Sequence, residues 1–297
     1  MILGIDIGGT NIKFGVVDQD YNIVEKYSIP TEAHKGDVHI VSNIIRKSKA
    51  IFQEYPIEKV GIGTPGRVDS VDGICISAVN IPYCNTPIVA MLEKELGVKV
   101  SLQNDAVCAI WGELRAGVGR HFKNFIMITL GTGVGGGICI DGKPYLGKTG
   151  TAGEFGHMTI NYDGILCRCG QRGCYEQYAS VTALIQQTKE AAANHPHSLL
   201  AQMGQKGFSG RSAFNAKSEG CSVAAEVVEL YAEYVAVGIK NLKRIFAPEA
   251  VVIGGAISNQ EDNLLNPLRN KVGASVNLCV SHLKNDAGII GAAVIAE

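Results

Sequence analysis

Residues 2–18 read ILGIDIGGTNIKFGVVD, two apolar runs separated by Gly-Gly-Thr-Asn. The runs at 2–7 and 12–18 have a β-like composition and the glycines between them suit a tight turn, so this stretch predicts a β-hairpin. Residues 124–141 repeat the pattern as NFIMITL, GTGVGGG and ICID. Two copies of one strand–turn–strand unit indicate a protein built from two related halves.

The rest of the chain alternates between helical and β-like segments. Apolar spacing and turn residues predict strands at 60–66, 98–103 and 250–255, and helices at 37–55, 88–97, 106–117, 223–246 and 286–296. This order predicts an α/β fold with mixed sheets. Residues 194–222 are polar and weakly patterned, and we expect them to form a surface excursion.

Composition excludes several classes of protein. The 297 residues carry 27 Lys+Arg against 28 Asp+Glu, a net charge of -1, so neither a nucleic acid nor a membrane surface is an expected partner. No run approaches the roughly 18 apolar residues of a membrane span. The opening MILGIDIGG lacks the cationic region of a secretory signal. We therefore expect a cytoplasmic enzyme.

One glycine motif is misleading. Gly131, Gly133 and Gly136 satisfy G-x-G-x-x-G, and Glu154 follows at a distance suited to a dinucleotide site. That motif must open a helix, because the pyrophosphate binds at the helix N-terminus. Here the next residues, 137–141, have the composition of a strand. A nicotinamide or flavin site is therefore not expected.

The glycine turns are better suited to the phosphates of a nucleotide. Glycine at a hairpin tip exposes backbone N–H groups without a Cβ in the way. Each turn taken alone is equally consistent with an ordinary β-turn, and Lys13 with a solvent-facing strand residue. The candidates for contacts with ATP are Asp6, Gly8, Gly9, Thr10, Asn11, Lys13, Thr132, Gly133, Gly254 and Gly255.

Three cysteines lie within the eight residues CRCGQRGC at 167–174. With His157 they give the spacing H-x9-C-x-C-x4-C, a complete set of donors for a tetrahedral, structural zinc ion. A redox pair of Cys167 and Cys174 is one alternative, although the spacing is not C-x-x-C. Small turn residues are another.

An Asn-Asp pair at the end of the predicted strand 98–103 is the candidate for acid–base chemistry. Asp105 can point from a strand end into a cleft, where a carboxylate accepts the proton of an attacking hydroxyl. The residues alone fit an N-cap of the following helix equally well. Asn80, in Asn-Ile-Pro, is by itself a turn residue.

The order of the motifs resembles one family. DIGGTNIKFGVVD, GIGTPGRVD, QNDAVCAIWGE, LGTGVGGGI, AGEFGH, CRCGQRGCYE and PEAVVIGG are similar to successive motifs of the ROK (repressor, open reading frame, kinase) family. The resemblance implies a two-lobed, actin-like ATPase (ribonuclease H-like) sugar kinase fold. The small lobe would comprise 1–112 with the C-terminal helix 285–297. The large lobe would be 113–284, with the zinc loop at 157–174.

The resemblance also assigns roles. Asp105 would be the general base, Asp6 would hold Mg²⁺ through water, and His157, Cys167, Cys169 and Cys174 would bind zinc. One nitrogen of His157 would face the metal and the other the sugar. The sugar contacts it implies are Gly66, Asn80, Asn104, Asp105, Glu154, His157 and Glu176.

The activity implied is ATP-dependent phosphorylation of a hexose at its 6-hydroxyl by a homodimeric enzyme. Glucose, N-acetylmannosamine and a β-glucoside all remain open as substrates, because NIPYCNTP at 80–87 lacks the tryptophan associated with many glucokinases. The repressor branch of the family would need a helix-turn-helix module before the first hairpin. A sugar sensor without catalysis is the non-enzymatic alternative.

Overall fold

The computed structural model describes residues 1–148 and 152–297. Its contacts divide the chain into two compact units. Unit 1 comprises Met1–His121, Gly142–Ala152 and Asn285–Glu297, and unit 2 comprises Phe122–Asp141 and Gly153–Lys284. Within the described ranges, no helix is both long enough and apolar enough to cross a bilayer.

The chain forms twelve strands, ten α-helices and several short 3-10 turns in the described ranges. The strands are β1 Ile2–Ile7, β2 Asn11–Val17, β3 Ile23–Pro30, β4 Lys59–Thr64, β5 Arg67–Asp69, β6 Ile74–Ser77, β7 Lys99–Asn104, β8 Phe125–Leu130, β9 Val134–Ile140, β10 Lys143–Pro144, β11 Ala250–Gly254 and β12 Leu278–Val280. The helices are α1 Asp37–Glu54, α2 Ile88–Leu96, α3 Asp105–Arg115, α4 Glu176–Ala179, α5 Val181–Asn194, α6 Leu199–Met203, α7 Ser212–Ser218, α8 Ser222–Phe246, α9 Asp262–Val272 and α10 Ala287–Ile295.

The sheet of unit 1 has the strand order β3-β2-β1-β4-β7. β1 and β2 are antiparallel, as the sequence predicts, whereas β4 and β7 run parallel to β1. Side chains alternate across β1. Leu3 and Ile5 therefore join one apolar core with Ile40 and Ile44 of α1, and the opposite face is left for α10.

Glycines let α10 pack directly on backbone. A Cβ on Gly61 of β4 would lie 1.6 Å from the carbonyl oxygen of Ala292, and a Cβ on Gly291 would lie 1.6 Å from that of Cys108 in α3. Gly4 and Gly112 make similar approaches to α10. Helix α10 thus completes unit 1 although it is remote from it in sequence.

Unit 2 repeats this arrangement with four strands in the order β9-β8-β11-β12. β9 is antiparallel to β8, whereas β11 and β12 run parallel to β8. The repeat predicted from the two hairpins is therefore present in the topology. The long helix α8 supplies much of the core of unit 2, including fully buried Tyr231.

The contacts group residues 113–121 with unit 1, where α3 continues to Arg115 and packs on α10; the lobe boundaries at 112 and 284 stay a prediction. The segment 194–222 is not only a surface excursion. It contains α6 and α7, and it buries Leu200 and Phe214. A few large apolar side chains on short helices are enough to cover a core.

Replacing Gly291 with alanine should destabilise the protein. Alanine is favoured over glycine in a helix by about 1 kcal/mol, but its Cβ would overlap the Cys108 carbonyl. We expect a net loss of at least about 2 kcal/mol in the free energy of unfolding, as for other overpacked sites. The urea midpoint measures it. Glu226→Ala, at an exposed position of α8, is the control, and an equal effect in both variants would contradict the prediction.

Candidate active site

The buried residue Thr31 fixes the glycine turn between β1 and β2 through two hydrogen bonds. Thr31 Oγ1 donates to the Gly8 carbonyl at 2.6 Å, and its backbone N–H donates to the Thr10 carbonyl at 2.9 Å. Thr31 is fully buried. Thr31 lies outside the motifs quoted above, and its position directly after β3, the strand beside β2, is the sequence signal for its role.

Asp6 and Lys13 form an ion pair across the first hairpin. The antiparallel register sets them opposite each other, and Lys13 Nζ lies 3.2 Å from Asp6 Oδ2. Burial raises the pKa of the Asp6 carboxyl, and the Lys13 charge partly opposes this. Lys13 is therefore more than a solvent-facing strand residue, because it offsets part of a buried negative charge.

Asn104, at the end of β7, caps α3. Its Oδ1 accepts from the backbone N–H of Ala106 at 2.9 Å and of Val107 at 3.3 Å, and its Nδ2 donates to the Gly66 carbonyl at 3.0 Å. The side chain of Asn104 thus caps α3 and holds the loop at Gly66. The capping that the sequence left open for Asp105 is performed by its neighbour.

Asp105 is the first residue of α3 and is half-buried. Its Oδ1 accepts from the Ala106 N–H at 2.8 Å, and the positive end of the helix favours the ionised carboxylate there. The thiol of Cys108, one turn further on, is fully buried. Burial raises the pKa of that thiol, and the charges of Asp105 and Asp6 raise it further. Both carboxylates therefore lie near one thiol in unit 1.

Asn80 lies beside the first glycine turn. A Cβ on Gly9 would be 3.6 Å from the Asn80 Cβ. Asn80 also lines a groove of about 490 Å³ with Ala33, His34, Gly36, Ala78, Val79, Ile81 and Pro82. Gly66 adopts a φ of 98°, and a Cβ there would lie 2.2 Å from the Ser77 carbonyl. The backbone alone accounts for a glycine at position 66.

Unit 2 brings its two glycine turns together. Gly254 pairs with Thr129 in the sheet, which places Gly255 beside the end of β8. Gly255 has a φ of 83°, and a Cβ would lie 2.5 Å from the Leu130 carbonyl. Buried Ser258 donates to the Gly255 carbonyl at 2.7 Å and fixes the turn.

The cysteine-rich segment 167–174 is a compact loop anchored on α8. The Cys167 N–H donates to the Gln171 carbonyl at 2.8 Å. Gly173 has a φ of 71° and approaches the Asn161 carbonyl too closely for any Cβ. Tyr175, fully buried, donates its hydroxyl to the Val235 carbonyl at 2.9 Å. The last cysteine of the loop is thereby tied to the core of unit 2.

The four predicted metal ligands lie together. The donor atoms of His157, Cys167, Cys169 and Cys174 are all within 4.8 Å of one another. The Sγ atoms of Cys169 and Cys174 are 3.5 Å apart, and Cys167 Sγ lies 3.8 Å from His157 Nδ1. A tetrahedral ion bound at about 2.0–2.3 Å requires donors about 3.5–3.8 Å apart. The donor set and its spacing therefore fit a metal ion that prefers sulfur.

Burial opposes the ionisation of two of the three thiols when no cation is present. Burial raises the pKa of the Cys174 thiol to about 12 and also raises that of Cys167. The Gln171 backbone N–H lowers the pKa of Cys169. Cys167 and Cys174, the alternative redox pair, are free thiols. A divalent cation would supply the positive charge that three thiolates require.

Two carboxylates flank the cluster. Glu154 Oε2 lies 3.9 Å from His157 Nε2, whereas Nδ1 of the same ring faces Cys167. Glu176 Oε1 lies 3.3 Å from Cys167 Sγ and 4.0 Å from His157 Nδ1. The side chain of Glu154 is 63% exposed and that of Glu176 is 21% exposed. One carboxylate is therefore open to solvent, and the other is held against the thiols.

A family model described as the ROK family matches residues 2–297. The chain belongs to the ROK family. The glucokinase of Streptomyces coelicolor is 36% identical over 311 aligned positions, covering 100% of this chain and 98% of the relative. The N-acetylmannosamine kinase of Vibrio cholerae is 33% identical over 298 positions, covering 98% of this chain and 97% of the relative.

The match extends to three dimensions. The crystal structure of a ROK family glucokinase from Streptomyces griseus, in complex with glucose and AMPPNP, superposes with a TM-score of 0.88. It is 34% identical, and the match covers 99% of this chain and 98% of that one. The family resemblance and the predicted mixed α/β, actin-like ATPase fold are thereby confirmed.

The predicted site residues of this ROK protein fall into two groups. Unit 1 holds Asp6, Gly8, Gly9, Thr10, Asn11, Lys13, Gly66, Asn80, Asn104 and Asp105. Unit 2 holds Thr132, Gly133, Glu154, His157, Cys167, Cys169, Cys174, Glu176, Gly254 and Gly255. Two further residues were not identified from the sequence. Thr31 fixes the backbone of the first glycine turn, and Tyr175 fixes the cysteine-rich loop on α8.

Substituting one exposed ligand tests the metal cluster. Cys169 is exposed, so Cys169→Ser removes a thiolate donor without opening a cavity. We expect bound metal, measured by elemental mass spectrometry, to fall from about one ion per chain to well below half, with a lower Tm. Cys84→Ser, which replaces an exposed cysteine outside the cluster, should change neither. Full metal content in Cys169→Ser would contradict the assignment.

Proposed function

We propose that this ROK family protein is an ATP-dependent kinase that phosphorylates a hexose at its 6-hydroxyl. The observation that carries the proposal is a half-buried aspartate, Asp105, presented at the end of a parallel strand by a helix that Asn104 caps. The glucokinase relatives and the glucose-bound structure with TM-score 0.88 support the same reaction.

Asp105 serves as the general base in this proposal. Its carboxylate, on the first residue of the helix that Asn104 caps, would accept the proton of the attacking hydroxyl. A positioned base of this kind contributes about 10²–10⁴ in rate.

Asp6 is the proposed contact to the magnesium ion of Mg-ATP. Its carboxylate is a hard oxygen donor, and its burial, with only partial compensation by Lys13, suits a nearby divalent cation. Mg²⁺ keeps much of its hydration shell, so we propose contact through water. The ion offsets charge on the transferring phosphoryl group. Asp6 would accept hydrogen bonds from the water ligands of the ion, and Lys13 would balance phosphate charge.

The glycine turns are the proposed phosphate contacts. In unit 1 these are Gly8, Gly9, Thr10 and Asn11, with Thr31 behind them. In unit 2 they are Thr132 and Gly133, beside Gly254 and Gly255. Backbone N–H groups in such turns bind anions without the entropic cost of ordering long side chains.

Each unit carries residues that we propose as sugar contacts. Unit 1 contributes Gly66, Asn80, Asn104 and Asp105. In unit 2, Glu154, His157 and Glu176 bind sugar hydroxyls. We propose that the His157–cysteine cluster holds a structural zinc ion, since all four positions are filled by protein donors. Zinc would keep Nδ1 of His157 on the metal side and leave Nε2 to the sugar.

The proposed substrate is glucose, and N-acetylmannosamine is a second candidate. Glucokinases are among the relatives at 33–36% identity, and an N-acetylmannosamine kinase is 33% identical. The groove of about 490 Å³ beside Asn80 gives space for a substituent on the sugar and favours keeping the second candidate. A β-glucoside would need the same space.

A homodimer in the cytoplasm remains our prediction for the assembly and location. Helix α10 is largely buried within unit 1 and α8 within unit 2, so neither is a ready-made interface. Light scattering of the purified protein at micromolar concentration measures the oligomeric state directly.

Substituting Asp105 tests the mechanism. Asp105→Asn preserves shape but removes the base, so we expect kcat to fall at least about a hundredfold with the sugar KM changed only a few-fold. ADP release with Mg-ATP is followed against glucose, mannose, N-acetylglucosamine, N-acetylmannosamine, fructose and cellobiose. Asp72→Asn, at an exposed position in the β5–β6 turn, is the matched control. Turnover in Asp105→Asn equal to that of the wild type would refute the base.

A further inference from the structure

The second glycine turn is bonded to the start of α5. The Val181 N–H donates to the Gly131 carbonyl at 2.8 Å, and Thr182 Oγ1 donates to the Thr132 carbonyl at 2.7 Å. Helix α5 is itself well fixed, because buried Ser180 caps it by accepting from the Ala183 N–H at 3.1 Å. Two consecutive carbonyls of the turn are thus held by one rigid element.

Peptide geometry converts these two contacts into an orientation. In a trans peptide, the C=O of one residue and the N–H of the next point in opposite directions within one plane. Because the carbonyls of Gly131 and Thr132 point towards α5, the N–H groups of Thr132 and Gly133 point away from it. The Gly131 N–H closes the turn on the Gly133 carbonyl at 3.0 Å.

We propose that Thr182 is a positioning residue for the nucleotide. Its hydroxyl holds the Thr132–Gly133 peptide plane so that the Gly133 N–H is aimed outward, at the oxygens of a phosphate group. This inference rests on the proposed kinase function and adds to it a residue outside every motif that identified the family.

The hydrogen bond from Thr182 to the turn is independent of the contact between the turn and Glu176, which lies against the His157–cysteine cluster. On its other side, Gly133 faces Glu176, whose Oε2 would lie 2.7 Å from a Cβ at position 133. Glu176 also contacts Cys167. Thr182 is exposed and makes its bond from α5, so removing its hydroxyl leaves the cluster and Glu176 in place.

Two substitutions at position 182 test the inference. Thr182→Val has nearly the same shape and helix propensity but no hydroxyl, whereas Thr182→Ser keeps the hydroxyl. We expect Thr182→Val to raise the KM for ATP and the calorimetric Kd for AMPPNP about three- to tenfold, the range for one neutral hydrogen bond. The KM for the sugar, the metal content and the Tm should stay as in the wild type. Thr182→Ser should remain within about twofold for the nucleotide.

The outcomes separate this inference from the function on which it rests. Unchanged nucleotide affinity in Thr182→Val, in a wild-type enzyme that phosphorylates a sugar, would overturn the role of Thr182 alone. An equal rise in the sugar KM, or a defect in Thr182→Ser as large as in Thr182→Val, would also overturn it. A wild-type protein that neither binds AMPPNP nor turns over any sugar would remove both proposals.

Discussion

The contact of α10 with backbone is the constraint on which unit 1 depends. Gly4 of β1 and Gly61 of β4 let α10 approach the sheet, and Gly112 of α3 and Gly291 of α10 let the two helices approach each other. Helix α10 also packs against a candidate site residue, because a Cβ on Gly288 of α10 would lie 3.0 Å from the Asp6 carboxyl carbon. Asp105 begins the helix that packs on α10. The positions of both carboxylates therefore follow from how closely one helix packs.

Unit 2 fixes its functional residues in a different way. A loop with little regular structure carries His157 and the cysteines, and Tyr175 ties it to α8. Directly after that anchor come Glu176, which lies against Cys167, and the start of α5, which holds the glycine turn. A single stretch of chain thus orients Glu176 beside the His157–cysteine cluster and fixes the peptides of the turn, so a change in the loop would affect both.

Local pattern and motif order were sufficient to predict the two hairpins, the mixed α/β class and the four clustered ligands. The ion pair of Asp6 with Lys13 was not predicted, although the antiparallel register of the β1–β2 hairpin sets the two residues opposite each other. Thr31 and Thr182 were not predicted because each acts through a carbonyl distant in sequence, and only the position of Thr31 directly after β3 hints at its role. Asn104 and Asp105 were ambiguous for a related reason, since only coordinates show which side chain reaches the helix N–H groups.

The interrupted course of unit 1 has a consequence for synthesis on the ribosome. Residues 122–284 separate most of unit 1 from its closing helix, and translation at about 5–20 residues per second needs roughly 8–33 s to add them. During that interval α10 is not yet present to cover the glycine-lined face of the unit 1 sheet. The nascent chain must then be protected from non-native association until residues 285–297 emerge, so chaperone demand should be set by translation speed through unit 2.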